Sequence, residues 1–202
     1  MGYKELDLKL PTGYSGEMLQ QRISKELRLK NFTFQIIHKS LDARKKENIH
    51  WAVRVAVTSG EIKGGAAPVE APLEIPYKKR DRRAVVMGSG PAGFFAALVL
   101  QRAGFETTIV ERGSKVGQRD RGIQRFEERG LFDPVSNYAF GEGGAGTFSD
   151  GKLTSRSKHI SREKQFILES YVRAGAPEEI LYLTHPHVGS DNLKVIVKNL
   201  RR

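Results

Sequence analysis

The fold of this chain is decided by one stretch, Arg83-Ala84-Val85-Val86-Met87-Gly88-Ser89-Gly90-Pro91-Ala92-Gly93. Its apolar, β-branched start predicts a strand that is buried on both faces, and its glycines predict a tight turn. Apolar residues without a glycine continue from position 94 to about position 102, which predicts a helix that begins near Pro91. The expected order is therefore strand, glycine turn and helix.

A second strand and an acid follow this helix. Apart from Glu106, residues 105–110 are apolar or β-branched, and Glu111 stands at the carboxyl end of the strand that they predict. In a dinucleotide-binding unit, three glycines permit the turn, the approach of the pyrophosphate, and the close packing of helix on strand. Gly88, Gly90 and Gly93 fit these roles, and Glu111 fits the acceptor for a ribose hydroxyl. The stretch predicts a dinucleotide site at the helix N-terminus; an ordinary strand, turn and helix without a ligand is the alternative.

A second glycine-rich stretch lies between Phe140 and Leu153, with five glycines in the eleven residues 141–151. Glycine loses the most conformational freedom on folding, so this composition disfavours both helix and strand. It suits a loop whose bare backbone approaches an anion or a ring closely. A functional loop is favoured over a flexible spacer by the polar groups of Thr147, Ser149, Asp150 and Lys152.

Residues 1–58 predict a small α+β domain. Alternating leucines near Leu8 indicate a strand, Ser15 is a candidate N-cap of a following helix, and alternation near Phe34 and Val55 indicates two more strands. The order strand, helix, strand, strand predicts a ferredoxin-like unit without its last elements. Residues 39–48 are interpreted as a polar, solvated connection between the last two strands, with a basic loop that contacts an anionic ligand or another part of a larger protein as the alternative.

Composition divides the rest of the chain. Residues 59–82 are rich in Gly, Ala, Pro and Glu, which predicts a linker. Residues 83–202 predict an α/β, Rossmann-like domain whose parallel sheet is incomplete, because only two parallel strands are evident. Within it, residues 113–119 are interpreted as a flexible connection, Ser161 as a helix cap, and residues 193–200 as an amphipathic helix. We therefore expect a fragment that folds marginally and binds its cofactor weakly.

Charge and composition narrow the function classes. The formal net charge of +11 is spread over both halves, +7 through Arg83 and +4 beyond it. The basic run at residues 78–83 is interpreted as a solvated linker, with an anionic partner as the alternative. The absence of cysteine excludes disulfides, cysteine-ligated metals and a thiol relay from this chain. No stretch approaches the ~20 apolar residues of a membrane span, and the N-terminus lacks the apolar core of a signal peptide, which predicts a cytoplasmic protein.

The glycine turn, the seventeen residues that follow it and Glu111 resemble the FAD-binding fingerprint of two-domain flavoproteins. The Pro91-Ala92 pair in the turn is typical of FAD rather than NAD members. Together with residues 39–46 and 140–153, these features resemble the uncharacterised bacterial FAD-dependent dehydrogenases, which are NAD(P)/FAD-dependent oxidoreductases more than twice as long. The resemblance therefore covers the N-terminal portion of such a protein.

The resemblance implies cofactor-binding residues in the turn, after the second strand and in the glycine-rich loop: Gly88, Ser89, Gly90, Pro91, Ala92, Gly93, Glu111, Arg112, Arg119, Gly143, Gly144, Gly146 and Thr147. It places Arg112 against the adenine side of the cofactor. Many relatives continue after the acid with Arg-x-Gly-Gly-Arg, of which only Gly117 and Arg119 match here, so the second phosphate contact stays open. No catalytic residue is identified. His185 and His187 are candidates for a hydrogen bond near the site, but no third ligand is spaced for a metal.

The implied function is an FAD-dependent oxidoreductase that transfers hydride or electrons through a bound flavin, with NAD(P)H as a candidate donor. The expected partner is a small-molecule substrate or electron acceptor rather than a membrane or a nucleic acid. Two alternatives remain open. One is an NAD-binding enzyme without flavin, and the other is a nucleic-acid-binding module formed by the basic N-terminal unit. Substrate and oligomeric state are not predicted.

Overall fold

The computed structural model describes residues 1–68, 71–155 and 157–201. The chain divides into two compact units. Unit 1 comprises Met1–Ala71 and Leu181–Pro186, and unit 2 comprises Pro72–Ile180 and His187–Arg202.

Unit 1 contains a three-stranded antiparallel sheet and one helix. The elements, in chain order, are β1 (Gly2–Pro11), α1 (Gly16–Leu27), β2 (Thr33–Asp42) and β3 (His50–Ser59). The strands lie side by side in the order β1-β3-β2, so that the last strand in sequence is the central one. The predicted order of strand, helix, strand and strand is confirmed.

One face of this sheet packs against α1. The alternating residues of β1 and β3, the i, i+4 residues of α1 and Leu29, which follows α1, form a single apolar core: Leu8, Leu10, Leu19, Ile23, Leu29, Val53, Val55 and Val57. The predicted cap is also confirmed, since the Ser15 hydroxyl accepts a hydrogen bond from the Met18 N–H at 3.2 Å. The helix is therefore fixed by its own cap and by the sheet beneath it.

β2 is longer than the sequence predicts. Residues 39–42 were interpreted as part of a polar connection, but they continue the strand and pair with β3 as far as Asp42 opposite His50. On the other edge of β2, the Lys39 N–H donates to the Tyr182 carbonyl at 2.8 Å, and the Thr184 N–H donates to the Lys39 carbonyl at 3.0 Å. Backbone pairing on both sides holds these polar residues in a strand, so the prediction of a connection is wrong here.

Unit 2 is built on a βαβ unit. Strand β4 (Arg83–Met87) leads into α2 (Pro91–Arg102) and then into β5 (Glu106–Val110), which pairs with β4 in parallel, Val85 opposite Thr108. Three more helices follow, α3 (Val116–Arg129), α4 (Ser161–Arg173) and α5 (Ser190–Leu200), with short 3₁₀ turns at Ala145–Phe148 and Glu178–Leu181. The strand, turn, helix and strand predicted from the opening stretch are confirmed.

The β4–β5 sheet is covered on one face. Ala84 and Val86 are half-buried on the side of α2, whereas Val85 is 63% and Met87 78% exposed. Among the residues that the structure describes, this sheet has two strands. The prediction that β4 is buried on both faces is therefore wrong for this chain.

Two helix starts also differ from prediction. Residues 116–119 were interpreted as part of a flexible connection but form the first turn of α3, whose buried residues include Val116. Ser161 is the first helical residue of α4 rather than its cap, a position taken by Ile160.

In the described part of the chain, no helix has both the length and the apolar character needed to cross a bilayer.

Candidate functional site

The glycine turn joins β4 to α2, and its glycines have distinct structural roles. Gly88 has a φ of +92°, which favours glycine, and its N–H donates to the Val110 carbonyl of β5 at 2.7 Å. At Gly93, a Cβ atom would overlap the carbonyl group of Gly88, so only glycine allows α2 to approach the strand this closely. Gly90 is the N-cap of α2 in an extended conformation. These positions are the ones that the sequence singled out.

The first turn of α2 is open to a ligand. Pro91 and Ala92 are exposed at its start, and within the described residues no side chain forms a capping hydrogen bond with this helix. The first N–H groups of a helix lack intrahelical partners and carry a partial positive charge. The turn therefore presents a surface suited to an anion such as a pyrophosphate.

Glu111 reaches back from the end of β5 to this turn. Its Oε2 accepts hydrogen bonds from the N–H and the hydroxyl of Ser89 at 2.8 and 2.9 Å, and its Oε1 accepts one from the Gly113 N–H at 2.8 Å. Burial raises the pKa of the Glu111 carboxyl, but the hydrogen bonds from Gly113 and Ser89 outweigh burial, and the pKa lies below its ordinary value. Glu111 is thus an ionised, fixed acceptor beside the turn.

The glycine loop, residues 141–151, packs directly on the turn. The Gly143 N–H donates to the Ser89 carbonyl at 2.8 Å. Gly144 has a φ of +68°, and a Cβ atom there would lie only 3.1 Å from the Cα of Gly90. The structure thus brings together two stretches that are about 50 residues apart in sequence.

The second half of the glycine loop is a short 3₁₀ turn over Ala145–Phe148. Thr147 points inward, with 1% of its surface exposed, and its hydroxyl donates to the Glu142 carbonyl at 3.3 Å. Gly146 is exposed, and a Cβ atom there would meet no atom within 4 Å. Thr147 therefore shapes the loop, while Gly146 lies at its surface.

Arg119 lies beneath the glycine loop. Its side chain is completely buried, and its guanidinium donates to the carbonyls of Asn137, Tyr138, Glu142 and Gly144 at 2.7 to 3.1 Å. Its Cζ lies 4.7 Å from the centre of the Phe148 ring. Burial lowers the pKa of this guanidinium, while the carboxylates of Glu111 and Glu142 act in the opposite direction. Arg119 thus binds the backbone of the loop from inside.

Arg112 is exposed and stacks on the Phe140 ring, 3.6 Å from its centre. It borders an open pocket of about 620 Å³ at the end of β5 whose other basic residues are Lys115 and Arg121. A smaller and more apolar cavity of about 120 Å³ lies between α2, the glycine loop and α5. Its lining includes Phe94 and Thr147.

Sequence reasoning missed two buried polar residues of the site. Glu142 is 5% exposed, and its carboxylate accepts hydrogen bonds from the Val116 N–H at 2.8 Å and from Arg201 at 2.7 Å. Asn137 is 7% exposed, and its Oδ1 accepts from the N–H groups of Ala139 and Phe140. The one available signal was the position of Glu142, an acid enclosed by glycines.

The two candidate histidines are exposed. His187 belongs to unit 2, where it forms an isolated antiparallel bridge with Lys152, and His185 belongs to unit 1. Among the described residues, no group of three or more His, Asp or Glu side chains is arranged to hold a metal ion.

Comparison with known proteins gives two family matches and one relative. Residues 81–165 match a family described as an FAD binding domain, and residues 3–58 match a family described as a domain of unknown function. An uncharacterized protein of Clostridium beijerinckii is 40% identical over 199 residues, which covers 91% of this chain and 37% of that protein. The chain thus spans little more than a third of the length of this relative.

The first match includes the whole predicted site. The glycine turn, Glu111, Arg119 and the glycine loop all lie within residues 81–165. The match supports FAD binding and, at the level of the family, a flavin-binding oxidoreductase.

Proposed function

We propose that this chain is the N-terminal, cofactor-binding portion of an FAD-dependent dehydrogenase, an oxidoreductase that transfers hydride or electrons through a bound flavin. One observation carries the proposal. The glycine turn, the ionised Glu111 and the glycine loop meet at the carboxyl ends of two parallel strands, inside residues that resemble an FAD binding domain. Ligands of open α/β sheets bind at such carboxyl ends.

The residues present fit this cofactor. The open first turn of α2, with Gly88, Gly90 and Gly93, would hold the pyrophosphate. Glu111 is already oriented by Ser89 and Gly113, so its carboxylate would accept a hydrogen bond from the adenosine ribose. Holding the acceptor in place before binding reduces the ordering cost of the complex.

On the flavin side, the bound cofactor would supply the redox chemistry, while the protein supplies placement and electrostatics. The half-buried Gly144, which lies against Gly90 of the turn, and the exposed Ala145 and Gly146 would contact the cofactor through their backbone. Arg112, with Lys115, borders the pocket next to Glu111 and would face the adenine side. NAD(P)H is the proposed electron donor, and a small molecule is the proposed substrate or acceptor.

The proposal extends to the organisation of the chain. We assign residues 1–58 to a ferredoxin-like domain, residues 59–82 to a linker and residues 83–202 to a Rossmann-like domain. The strand order β1-β3-β2 with one helix on the sheet supports the first assignment, and the βαβ unit supports the last. We further propose that the protein works in the cytoplasm.

Flavin binding is tested with Gly90→Leu. A Cβ atom at Gly90 would lie 3.9 Å from Gly144, an ordinary contact, so the protein should fold while the longer side chain occupies the space of the pyrophosphate. Titrated with FAD, the wild-type protein should bind it weakly and give a saturable change in flavin fluorescence, and Gly90→Leu should lose this change. Gly13→Leu, at a turn position in unit 1 where a Cβ meets no atom within 4 Å, is the matched control and should bind normally.

Other outcomes distinguish the alternatives. Flavin retained by Gly90→Leu would contradict the assignment of the pyrophosphate site. Protection by NAD without any bound flavin would favour a non-flavin enzyme. Salt-sensitive binding of RNA that changes in unit 1 abolish would favour a nucleic-acid-binding module.

A further inference from the structure

The four carbonyl groups that Arg119 binds all belong to one segment, residues 137–144, which includes the start of the glycine loop. A guanidinium carries its donors in a rigid planar fork, so one side chain can fix several acceptors at defined positions. The stem of Arg119 also packs against Gly141, where a Cβ atom would overlap it. Arg119 therefore sets the path of this backbone.

The glycine loop needs such support. Gly141, Gly143 and Gly144 have φ values of +111°, +83° and +68°, and a glycine backbone has little conformational preference of its own. The last carbonyl that Arg119 binds belongs to Gly144, the residue that lies against Gly90 of the turn. Fixing this carbonyl fixes the distance between the loop and the turn.

We propose that Arg119 is a positioning residue of the flavin site, which holds the glycine loop against the glycine turn without touching the cofactor. The inference rests on the proposed function, and it gives Arg119 a different role from the direct contact that the resemblance implied. Complete burial of its side chain and the use of its donors by backbone carbonyls support the indirect role.

Glu142 is a residue of this segment with further contacts of its own. Its carbonyl accepts from Arg119, while its carboxylate binds the Val116 N–H at the start of α3 and the guanidinium of Arg201 after α5. The carboxylate of Glu142 ties one residue of the segment to the start of α3 and to Arg201, whereas Arg119, itself a residue of α3, binds four carbonyls along the segment. The two residues therefore have separable effects, and the test concentrates on Arg119.

The test is Arg119→Lys in the whole chain, with Arg129→Lys as control. Lysine keeps the charge and the apolar stem but offers donors from a single nitrogen, which cannot serve four carbonyls in different directions. We expect at least a tenfold rise in the Kd for FAD and at least tenfold faster amide exchange over residues 137–148, with exchange in α2 unchanged. At saturating FAD, the visible circular dichroism of the bound flavin should also differ from that of the wild type. Arg129 is an exposed residue of the same helix, and Arg129→Lys should match the wild type in each measurement.

Each remaining result decides against a proposal. If the wild type binds FAD and Arg119→Lys binds it equally tightly with unchanged loop exchange, the positioning role is overturned and the proposed function stands. If Arg119→Lys loses its helical circular dichroism, Arg119 supports the whole unit rather than the loop, and the inference is again overturned. If the wild type takes up no FAD even at high FAD concentration, where weak binding would be detected, the proposed function fails, and the role of Arg119 in a flavin site fails with it.

Discussion

Gly93 is a residue whose identity the structure constrains directly. A Cβ atom there would overlap the carbonyl group of Gly88, which is backbone and cannot rotate away. We expect Gly93→Ala to lower the free energy of unfolding of unit 2 by about 1–3 kcal/mol, the usual cost of overpacking. Urea unfolding followed by circular dichroism measures this loss. Gly90→Ala, whose new Cβ would have normal contacts, should unfold like the wild type, and equal losses in both variants would contradict the explanation.

The lowered pKa of Glu111 predicts that the stability of unit 2 depends on pH. Its pKa is lower in the folded state, so the ionised carboxylate stabilises unit 2 above the pKa that it has in the unfolded chain. This contribution is lost as the pH falls from that ordinary glutamate value through the lower folded value. We expect Glu111→Gln to be less stable than the wild type at neutral pH, and the difference to shrink in acid.

Urea midpoints measured from neutral to acidic pH test this expectation. Glu128→Gln, at an exposed position of α3, is the control and should follow the wild-type pH dependence. A constant difference between Glu111→Gln and the wild type at all pH values would show that the charge of Glu111 is not the cause.

Residues of the site differ in how far their structural roles could be predicted. Gly88 and Gly93 were predictable because a turn and a close helix contact are local demands that only glycine meets. The burial of Arg119 and Glu142 was not predictable. It depends on the packing of α3, the end of α5 and residues 137–144 against one another, and the spacing of residues in the sequence gives no indication of this packing. The family resemblance implied a direct contact of Arg119 with the cofactor, whereas backbone carbonyls take its donors.

At the scale of elements, α1 is the clearest case of a helix defined by its own sequence. Ser15 accepts from the Met18 N–H, and Leu19 and Ile23 fall on the buried face. We expect Ser15→Ala to lower the stability of unit 1 by about 1 kcal/mol, because one N-terminal donor loses its partner. Thermal unfolding of unit 1 measures the change. Ser15→Asp retains a capping acceptor and should restore stability, and failure to do so would argue against capping.

β2 illustrates the limit of pattern reading at this scale. Its apolar half was recognised from alternation, but residues 39–42 are polar and resemble a loop in sequence. They form a strand because the β3 backbone pairs with one edge and residues 182–184 pair with the other around Lys39. The second partner lies more than 140 residues away in sequence, so no local pattern could reveal it.

At the scale of the whole molecule, the chemistry is concentrated in unit 2. The glycine turn, Glu111, Arg119 and the glycine loop all belong to it, and it is held by a core around Phe94, Val116 and Val197. The order of elements in both units followed from periodicity and glycine positions. The exposure of one face of the β4–β5 sheet did not follow from the sequence. The number of layers that cover a sheet depends on elements that are far away in sequence.

The open face of the β4–β5 sheet has a consequence for how this chain behaves at high concentration. Exposed apolar residues on short parallel strands offer a template for pairing between molecules, and Val85 and Met87 lie on that face. We expect concentrated samples to aggregate and to scatter light. Val85→Lys should reduce the scattering, because it places a charge on the exposed apolar face of the sheet. Val195→Lys adds the same charge at an exposed valine of α5, and it should leave the scattering unchanged. Equal improvement by both variants would mean that net charge, rather than this sheet, controls colloidal stability.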